Sequence, residues 1–320
     1  MSAEAPLVYI VDPIHPVGAE RLAAAYQVIT PEQGQDDPRI EAVTHIVVRT
    51  TELPEPLLDR MPGLQAIVKH GAGVDNIPIP YATERGVMVA NTPGGNNSTA
   101  VAEGAVALIL ALLRRVREMD AIVREDRWNA RWTTRLGDLT GARVGLIGFG
   151  RIARCAAKIC GQGFSAELGA YDPVVAPADI AAAGATPMTL EELLAWADVI
   201  SIHVPLTADT RNLIGAPELA KMRSSAIIVN CSRGGIINET ALAEALASGV
   251  IAGAGVDVFE AEPPPADHPL FMLPNVILAP HVAGVTESGM KGMAIACADA
   301  IDTIVAGGRP ATLLNPEVDK

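Results

Sequence analysis

Val144-Gly145-Leu146-Ile147-Gly148-Phe149-Gly150-Arg151-Ile152-Ala153 is an apolar run that stops at two spaced glycines and continues in helix-compatible residues. Read as strand, turn and helix start, it contains Gly148-x-Gly150-x-x-Ala153. Gly148 permits the tight turn, Gly150 lets backbone approach a pyrophosphate, and Ala153 is small enough for a helix to lie close on a sheet. The unsatisfied amides of the first helical turn then receive phosphate charge, which makes Arg151 and Ile152 cofactor contacts beside the glycines. Glycines in this order also occur in ordinary turns, so the context decides. The next strand ends in Asp172, where a carboxylate can accept both hydrogen bonds of an adenine ribose diol and would repel a 2′-phosphate. The expected cofactor is therefore NAD(H), preferred over NADP(H).

Working outward, further apolar runs end in polar residues. Residues 199–202 lead into His203-Val204-Pro205, 226–229 into Asn230-Cys231-Ser232-Arg233, 252–256 into Asp257, and 276–278 into Ala279-Pro280-His281. With 144–147 and 167–171 these make six strands separated by helical stretches, the pattern of a doubly wound parallel sheet covered on both faces. Ligands bind such sheets at the carboxyl ends of the strands, so Asp172, His203, Arg233, Asp257 and His281 are expected to border one crevice. Before this unit, runs at 7–11, 42–48, 66–69 and 87–90 predict a smaller α/β unit of about ninety residues. A Pro- and Gly-rich turn at 91–97 and a long helix over 99–123 connect the two.

Composition narrows the function. Only three Trp, four Tyr and four Phe stand among 320 residues, a poor platform for stacking bases. A formal charge of −13, from 24 Lys and Arg against 37 Asp and Glu, opposes a polyphosphate backbone, so no nucleic-acid partner is expected. An acidic substrate must then be drawn in by a few placed cations. The four cysteines (155, 160, 231, 297) have no metal-ligand spacing and suggest no disulfide framework. The start Met1-Ser2-Ala3-Glu4-Ala5-Pro6 lacks a secretory pattern, and the apolar stretch 101–113 is too short to span a bilayer. A cytoplasmic protein with no membrane partner and no metal is expected.

Reduction of a 2-oxo acid by hydride needs a fixed cation for the carboxylate, a proton for the growing alkoxide, and an acid of suitable pKa. Arg233 supplies a planar fork, His281 a proton, and a carboxylate beside His281 would stabilise imidazolium. Glu262 leads for that place, and Glu260 competes with it. Each also has a plainer reading: Arg233 and Glu262 as solvated loop residues, and His281 as a hydrogen-bonded core residue.

The chain resembles the D-isomer-specific 2-hydroxyacid dehydrogenase family over nearly its whole length. The segments 144–152, His203-Val204-Pro205-Leu206-Thr207, Asn230-Cys231-Ser232-Arg233-Gly234-Gly235, 257–263 and 273–281 carry the likeness. It implies two Rossmann-like domains with an active-site cleft between them: a discontinuous substrate-binding domain, 1–98 with 292–320, and an NAD-binding domain, 99–291. It places catalysis on Arg233, Glu262 and His281 and demotes Glu260. Cofactor contacts then fall on Gly148, Gly150, Arg151, Ile152, Asp172, His203, Val204, Pro205, Thr210, Cys231, Ser232, Asp257, Ala283 and Gly284. The segment 69–77 resembles the family's substrate loop, which gives His70, Gly71, Ala72 and Gly73, with Arg233 and His281, to the substrate. Arg49 is a candidate for a distal charged group.

The same resemblance implies a homodimer joined through the nucleotide domains and a small D-2-hydroxy or 2-oxo acid as substrate, with glyoxylate or hydroxypyruvate first. Phosphoglycerate or sulfolactate oxidation is the alternative within the class. An NAD-responsive binding or corepressor protein without turnover is the alternative outside it. The turn from Pro93 to Glu103 is one residue longer than in commoner relatives, so neither Asn96 nor Asn97 takes a role by transfer. Ending at Lys320 leaves no room for a regulatory domain, and Glu262 stands where formate dehydrogenases of the superfamily usually have Gln.

Overall fold

The computed structural model describes residues 6–93 and 97–318; Asn96 lies outside them, and Asn97 opens a helix. The chain divides into two compact units, Met1–Asn97 with Val285–Lys320, and Ser98–Gly284. Each is a parallel sheet covered by helices.

In the first unit β1 (Leu7–Ile10), β2 (Gln27–Ile29), β3 (His45–Val48), β4 (Ala66–Lys69) and β5 (Met88–Asn91) pair in the order β2-β1-β3-β4-β5. Every pairing is parallel. The order reverses between β1 and β3, where Asp12 follows the first strand and Arg49 the second. Alternate strand residues feed two separate cores: Ile46, Val48 and Ile67 on one face, Val47, Ala66 and Val68 on the other. The short edge strand β2 was not among the runs expected from the sequence.

The second unit contains β6 (Arg143–Ile147), β7 (Glu167–Tyr171), β8 (Thr186–Pro187), β9 (Val199–Ile202), β10 (Ile227–Asn230), β11 (Gly253–Val256) and β12 (Val276–Leu278), ordered β12-β11-β10-β9-β6-β7-β8. Register aligns Ile147 with Tyr171 and Ile202, Ile202 with Asn230, Asn230 with Val256, and Val256 with Leu278. One row of strand ends therefore presents whatever follows each strand. The reversal falls between β6 and β9, which places the Gly148 turn beside His203, the arrangement that makes such a sheet a ligand site.

Two expectations need correction. The helix expected over 99–123 is two helices, Asn97–Leu113 and Val116–Arg124, separated by Arg115 at φ 49°. Its first part is held by buried Ala102, Ala105, Val106 and Ile109, whereas residues 114–117 are exposed and nothing packs to continue the axis. The second correction concerns the return to the first unit, expected at 292 and found at Val285. The helix Glu287–Val305 starts at a Thr286 cap, whose Oγ1 accepts from Gly289 N at 3.1 Å. Cys297, Ala298, Ile301 and Ile304 all enter the first unit's core. A Cβ on Gly18 would lie 2.7 Å from Ala294 Cβ, so this helix lies close on Pro16–Ala25 along its length and cannot be shared between units.

Candidate active site

At the β6–β9 reversal, Gly148 has φ +88°, and a Cβ there would fall 2.8 Å from both His203 O and Val204 Cγ1. Only glycine fits that turn. Gly150 caps the helix Arg151–Lys158 without a side-chain bond, and the space where its Cβ would stand is open for 4 Å. Asp172 follows β7. Its Oδ2 accepts from Phe149 N at 2.7 Å and its Oδ1 from Val174 N at 2.8 Å and Val175 N at 2.9 Å. Burial pushes this carboxyl upward, but those three amides outweigh it and hold it below the usual carboxylate range. Asp172 is thus anionic at neutral pH and ties the glycine turn to the neighbouring strand.

The loops after β10, β11 and β12 carry Arg233, Glu262 and His281. Asn230, 2 % exposed, accepts from Ser232 N at 3.0 Å and Ser232 Oγ at 2.7 Å, and donates to Arg233 O at 2.8 Å. It therefore fixes the turn on which Arg233 stands. Arg233 Nη1 also donates to Ser232 O at 2.7 Å. Glu262 Oε1 accepts from Phe259 N at 3.0 Å, and Oε2 lies 2.8 Å from His281 Nδ1. Burial raises the Glu262 carboxyl, yet the His281 bond, the Phe259 amide and the charges of His281 and Arg233 bring it below its ordinary value. Glu260 points elsewhere, to Arg211 Nη1 at 3.1 Å.

His281 itself has φ +55°, an unusual conformation for a residue with a side chain. Asp257, 1 % exposed, enforces it: its carbonyl accepts from His281 N at 2.7 Å, and its carboxylate takes the amides of Val282 at 2.8 Å and Ala283 at 2.9 Å. Gly104 permits the helix Asn97–Leu113 to lie against this turn, since a Cβ there would meet Ala283 Cα at 2.9 Å.

Several side chains named from the sequence are engaged in building loops. Thr210 Oγ1 donates to Pro205 O at 2.6 Å, and Ser201 Oγ lies 3.0 Å from His203 Nε2. Desolvation pushes the His203 imidazole down to about 4. Burial, with the Asp257 charge, pushes the Cys231 thiol up to about 12, so it is no nucleophile near neutral pH.

In the first unit, Asp12 accepts from Arg49 N at 2.6 Å, Thr50 N at 3.1 Å and Thr51 Oγ1 at 2.6 Å, fixing the backbone that carries the half-buried Arg49. Lys69 Nζ donates to Arg49 O and Asn76 Oδ1. His70 is 2 % exposed, and burial pushes it down to about 4; its ring belongs to the core, and the loop beyond it reaches the surface. Gly71 N donates to Thr92 Oγ1 at 2.8 Å. Among the described residues the amides of Ala72 and Gly73 donate to no group of the chain. Among the same residues no cluster of His, Cys, Asp or Glu is arranged to hold a metal, and no helix is long and apolar enough to cross a membrane.

Residues 106–283 match the D-isomer specific 2-hydroxyacid dehydrogenase, NAD binding domain, family. The chain belongs to that family. A D-2-hydroxyacid dehydrogenase of this kind is similar to the glyoxylate reductase of Korarchaeum cryptofilum, at 39 % identity over 85 % of this chain and 82 % of that one. It is also 39 % identical to the D-3-phosphoglycerate dehydrogenase of Archaeoglobus fulgidus, over 84 % of this chain and only 50 % of the relative. Among solved structures, an NADPH-dependent glyoxylate/hydroxypyruvate reductase from Sinorhizobium meliloti superposes with a TM-score of 0.86 at 29 % identity, covering 97 % of this chain and 99 % of the other.

The dehydrogenase's second unit fits a nicotinamide dinucleotide. The open space at Gly150, the uncapped amides of Arg151 and Ile152, and anionic Asp172 are the groups that would receive its pyrophosphate and ribose. Asn230, part of a sequence motif, and Asp257, an expected cofactor contact, hold the turns that carry Arg233 and His281. Each follows or ends an apolar strand while being fully buried, but that burial depends on neighbours far away in the chain.

Proposed function

We propose that this dehydrogenase reduces small 2-oxo acids, glyoxylate and hydroxypyruvate foremost, with Arg233, Glu262 and His281 as its catalytic residues. The observation that carries the proposal is the 2.8 Å contact between Glu262 Oε2 and His281 Nδ1 at the carboxyl edge of the nucleotide sheet. An ionised Glu262 accepts only, so Nδ1 donates to it and Nε2 is left to exchange a proton with substrate. A nicotinamide dinucleotide held at the 148–152 turn and Asp172 would supply the hydride for C2 in the reducing direction. His281 Nε2 gives its proton to the carbonyl oxygen, and Glu262 stabilises the ring while it is cationic. Arg233 grips the carboxylate with a fork of donors and polarises the carbonyl. In the reverse direction neutral His281 takes the hydroxyl proton, so oxidation is favoured at higher pH.

The first unit is the proposed substrate-binding domain, with the Ala72 and Gly73 amides contributing to the carboxylate and Arg49 to any distal anionic group. NAD(H) is the proposed preference, because a 2′-phosphate would meet the Asp172 charge; the Sinorhizobium meliloti relative is named NADPH-dependent, so both dinucleotides belong in the test. A homodimer through the second unit is supported by the exposed side chains of Val123, Trp128 and Trp132, 59 %, 57 % and 75 % accessible. Four free thiols support a reducing, cytoplasmic location.

The deciding experiment follows oxidation of NADH and NADPH with glyoxylate, hydroxypyruvate, sulfopyruvate and phosphohydroxypyruvate in parallel. Fastest turnover of the first two with NADH supports the proposal. Preference for the phosphorylated or sulfonated acids would move it to the alternative substrate class. NADH binding without turnover of any of them would instead favour a binding or corepressor protein.

A further inference from the structure

The loop that presents Glu262 is fastened at a point away from the reacting groups. Glu239, the first residue of the helix Glu239–Ala247, accepts from Glu260 N through Oε1 at 2.7 Å. Its Oε2 lies 2.9 Å from His268 Nε2, with side-chain exposures of 6 % for His268 and 15 % for Glu239. Leu270 N points at His268 Nδ1 at 3.4 Å, which assigns the ring proton to Nε2 and makes it the donor. His268 is boxed by Phe259, edge-on at 5.4 Å, and by Phe271 at 5.3 Å between ring centroids.

The peptide held in this way joins Phe259 to Glu260. Its neighbour on one side is Gly234, next to Arg233: a Cβ there would fall 1.9 Å from Phe259 O and 2.4 Å from Glu260 N. On the other side Phe259 N donates to Glu262 Oε1 at 3.0 Å. The two successive peptides that flank Phe259 thus divide the work: the one clamped by Glu239 abuts the turn of Arg233, and the one before it supplies a hydrogen bond to the carboxylate that holds His281. Glu239 is the first residue of its helix, where the dipole favours a carboxylate, and N–H bonds to a carboxylate are of the stronger, charge-assisted type.

We propose that Glu239 and His268 are positioning residues for the proton relay: they clamp the Phe259–Glu260 peptide and, by fixing Phe259, hold Glu262 against His281. This rests on the reading of Glu262 and His281 as that relay. Neither Glu239 nor His268 touches substrate; their effect runs through the Phe259 amide.

The test uses Glu239→Gln, which keeps size and shape but offers one acceptor and one donor to two N–H groups that both donate, so one of the two bonds fails. His268→Gln is the second variant, acting from the other end of the clamp. The primary readout needs no substrate: the titration of the Glu262 carboxyl by 13C NMR, assigned by its disappearance in Glu262→Gln. In both variants the Glu262 titration moves up toward the ordinary carboxylate value, as the Phe259 amide lets go. In turnover, kcat falls about tenfold while KM for NADH and for the 2-oxo acid stays within about twofold, since displacements of about 1 Å in reacting groups cost up to a hundredfold. An unchanged Glu262 titration in both variants overturns the proposal. So does a loss of kcat that comes with a matching rise in the KM for NADH, the signature of a merely structural role. If wild-type protein turns over no 2-oxo acid, the proposed reaction fails and the NMR titration still decides the clamp.

Discussion

Asp257→Asn is the substitution whose outcome follows most directly from the geometry. The wild-type carboxylate takes two amides, Val282 N at 2.8 Å and Ala283 N at 2.9 Å, and so holds His281 at φ +55°. A non-glycine residue in that region costs about 1–2 kcal/mol. Hydrogen bonds to a buried charged acceptor contribute about 1.5–3 kcal/mol each. Asparagine has almost the same shape but offers one oxygen, and its NH2 group then faces an N–H. One charge-assisted bond is lost and the other weakened, a change of roughly 2–4 kcal/mol, which exceeds the strain the bonds were holding. The turn relaxes and His281 leaves the reach of Glu262. At 1.36 kcal/mol per tenfold in rate, kcat/KM for the 2-oxo acid falls about a hundredfold. Steady-state kinetics, with NADH affinity from fluorescence titration as the control, measure this. Wild-type kcat/KM in a variant whose Tm has dropped would refute the reasoning, because the turn would have loosened without consequence for His281.

Other consequences are open to measurement. Arg233→Ala raises the substrate KM and lowers kcat/KM by about 3 kcal/mol as the charge-assisted fork is lost, and unaltered turnover of every 2-oxo acid would remove Arg233 from the site. Gly148→Ala puts a Cβ 2.8 Å from His203 O at a positive φ, so NADH binding in fluorescence titration should be lost well before the fold is. Buried His45 and His70 are both pushed down to about 4 from 6.5. Their folded pKa values lie below the unfolded ones, so stability is full above pH 6.5 and drains as pH falls toward 4; at pH 5.5 each costs about 1 kcal/mol. Urea melts should therefore lose stability between pH 7.5 and 5.5, before carboxylates titrate, and flat stability over that range would count against both assignments.

What the sequence made legible was whatever depends on local chemistry. Gly148 and Gly150 announce a turn by themselves, and apolar runs ending in Asp172, His203, Asp257 and His281 announce strand ends, because period and polarity need no knowledge of neighbours. The parallel register then brings those ends into one row without further instruction. The groups that aim the reactive side chains were not legible. Asp257 reads as a ligand contact from its place after a strand, yet its carboxylate is used by amides twenty-five and twenty-six residues onward. Glu239 and His268 meet across 29 positions, and nothing in either local segment signals the other. His70 opens the loop proposed for substrate, but the burial of its own ring could not be read locally: the helix Glu287–Val305 folds back over the sheet and brings Met290 beside it. The break at Arg115 escaped for a related reason, since the run 99–123 has helical composition throughout and only the end of packing stops it.

The central claim, that His281 backed by Glu262 moves the proton, is met most directly by single-turnover reduction of hydroxypyruvate in His281→Gln. NADH affinity should match wild type, and oxidation of bound NADH should slow by about a hundredfold to ten-thousandfold, the range of a lost general acid. Bound NADH consumed at the wild-type rate in that variant would contradict the account.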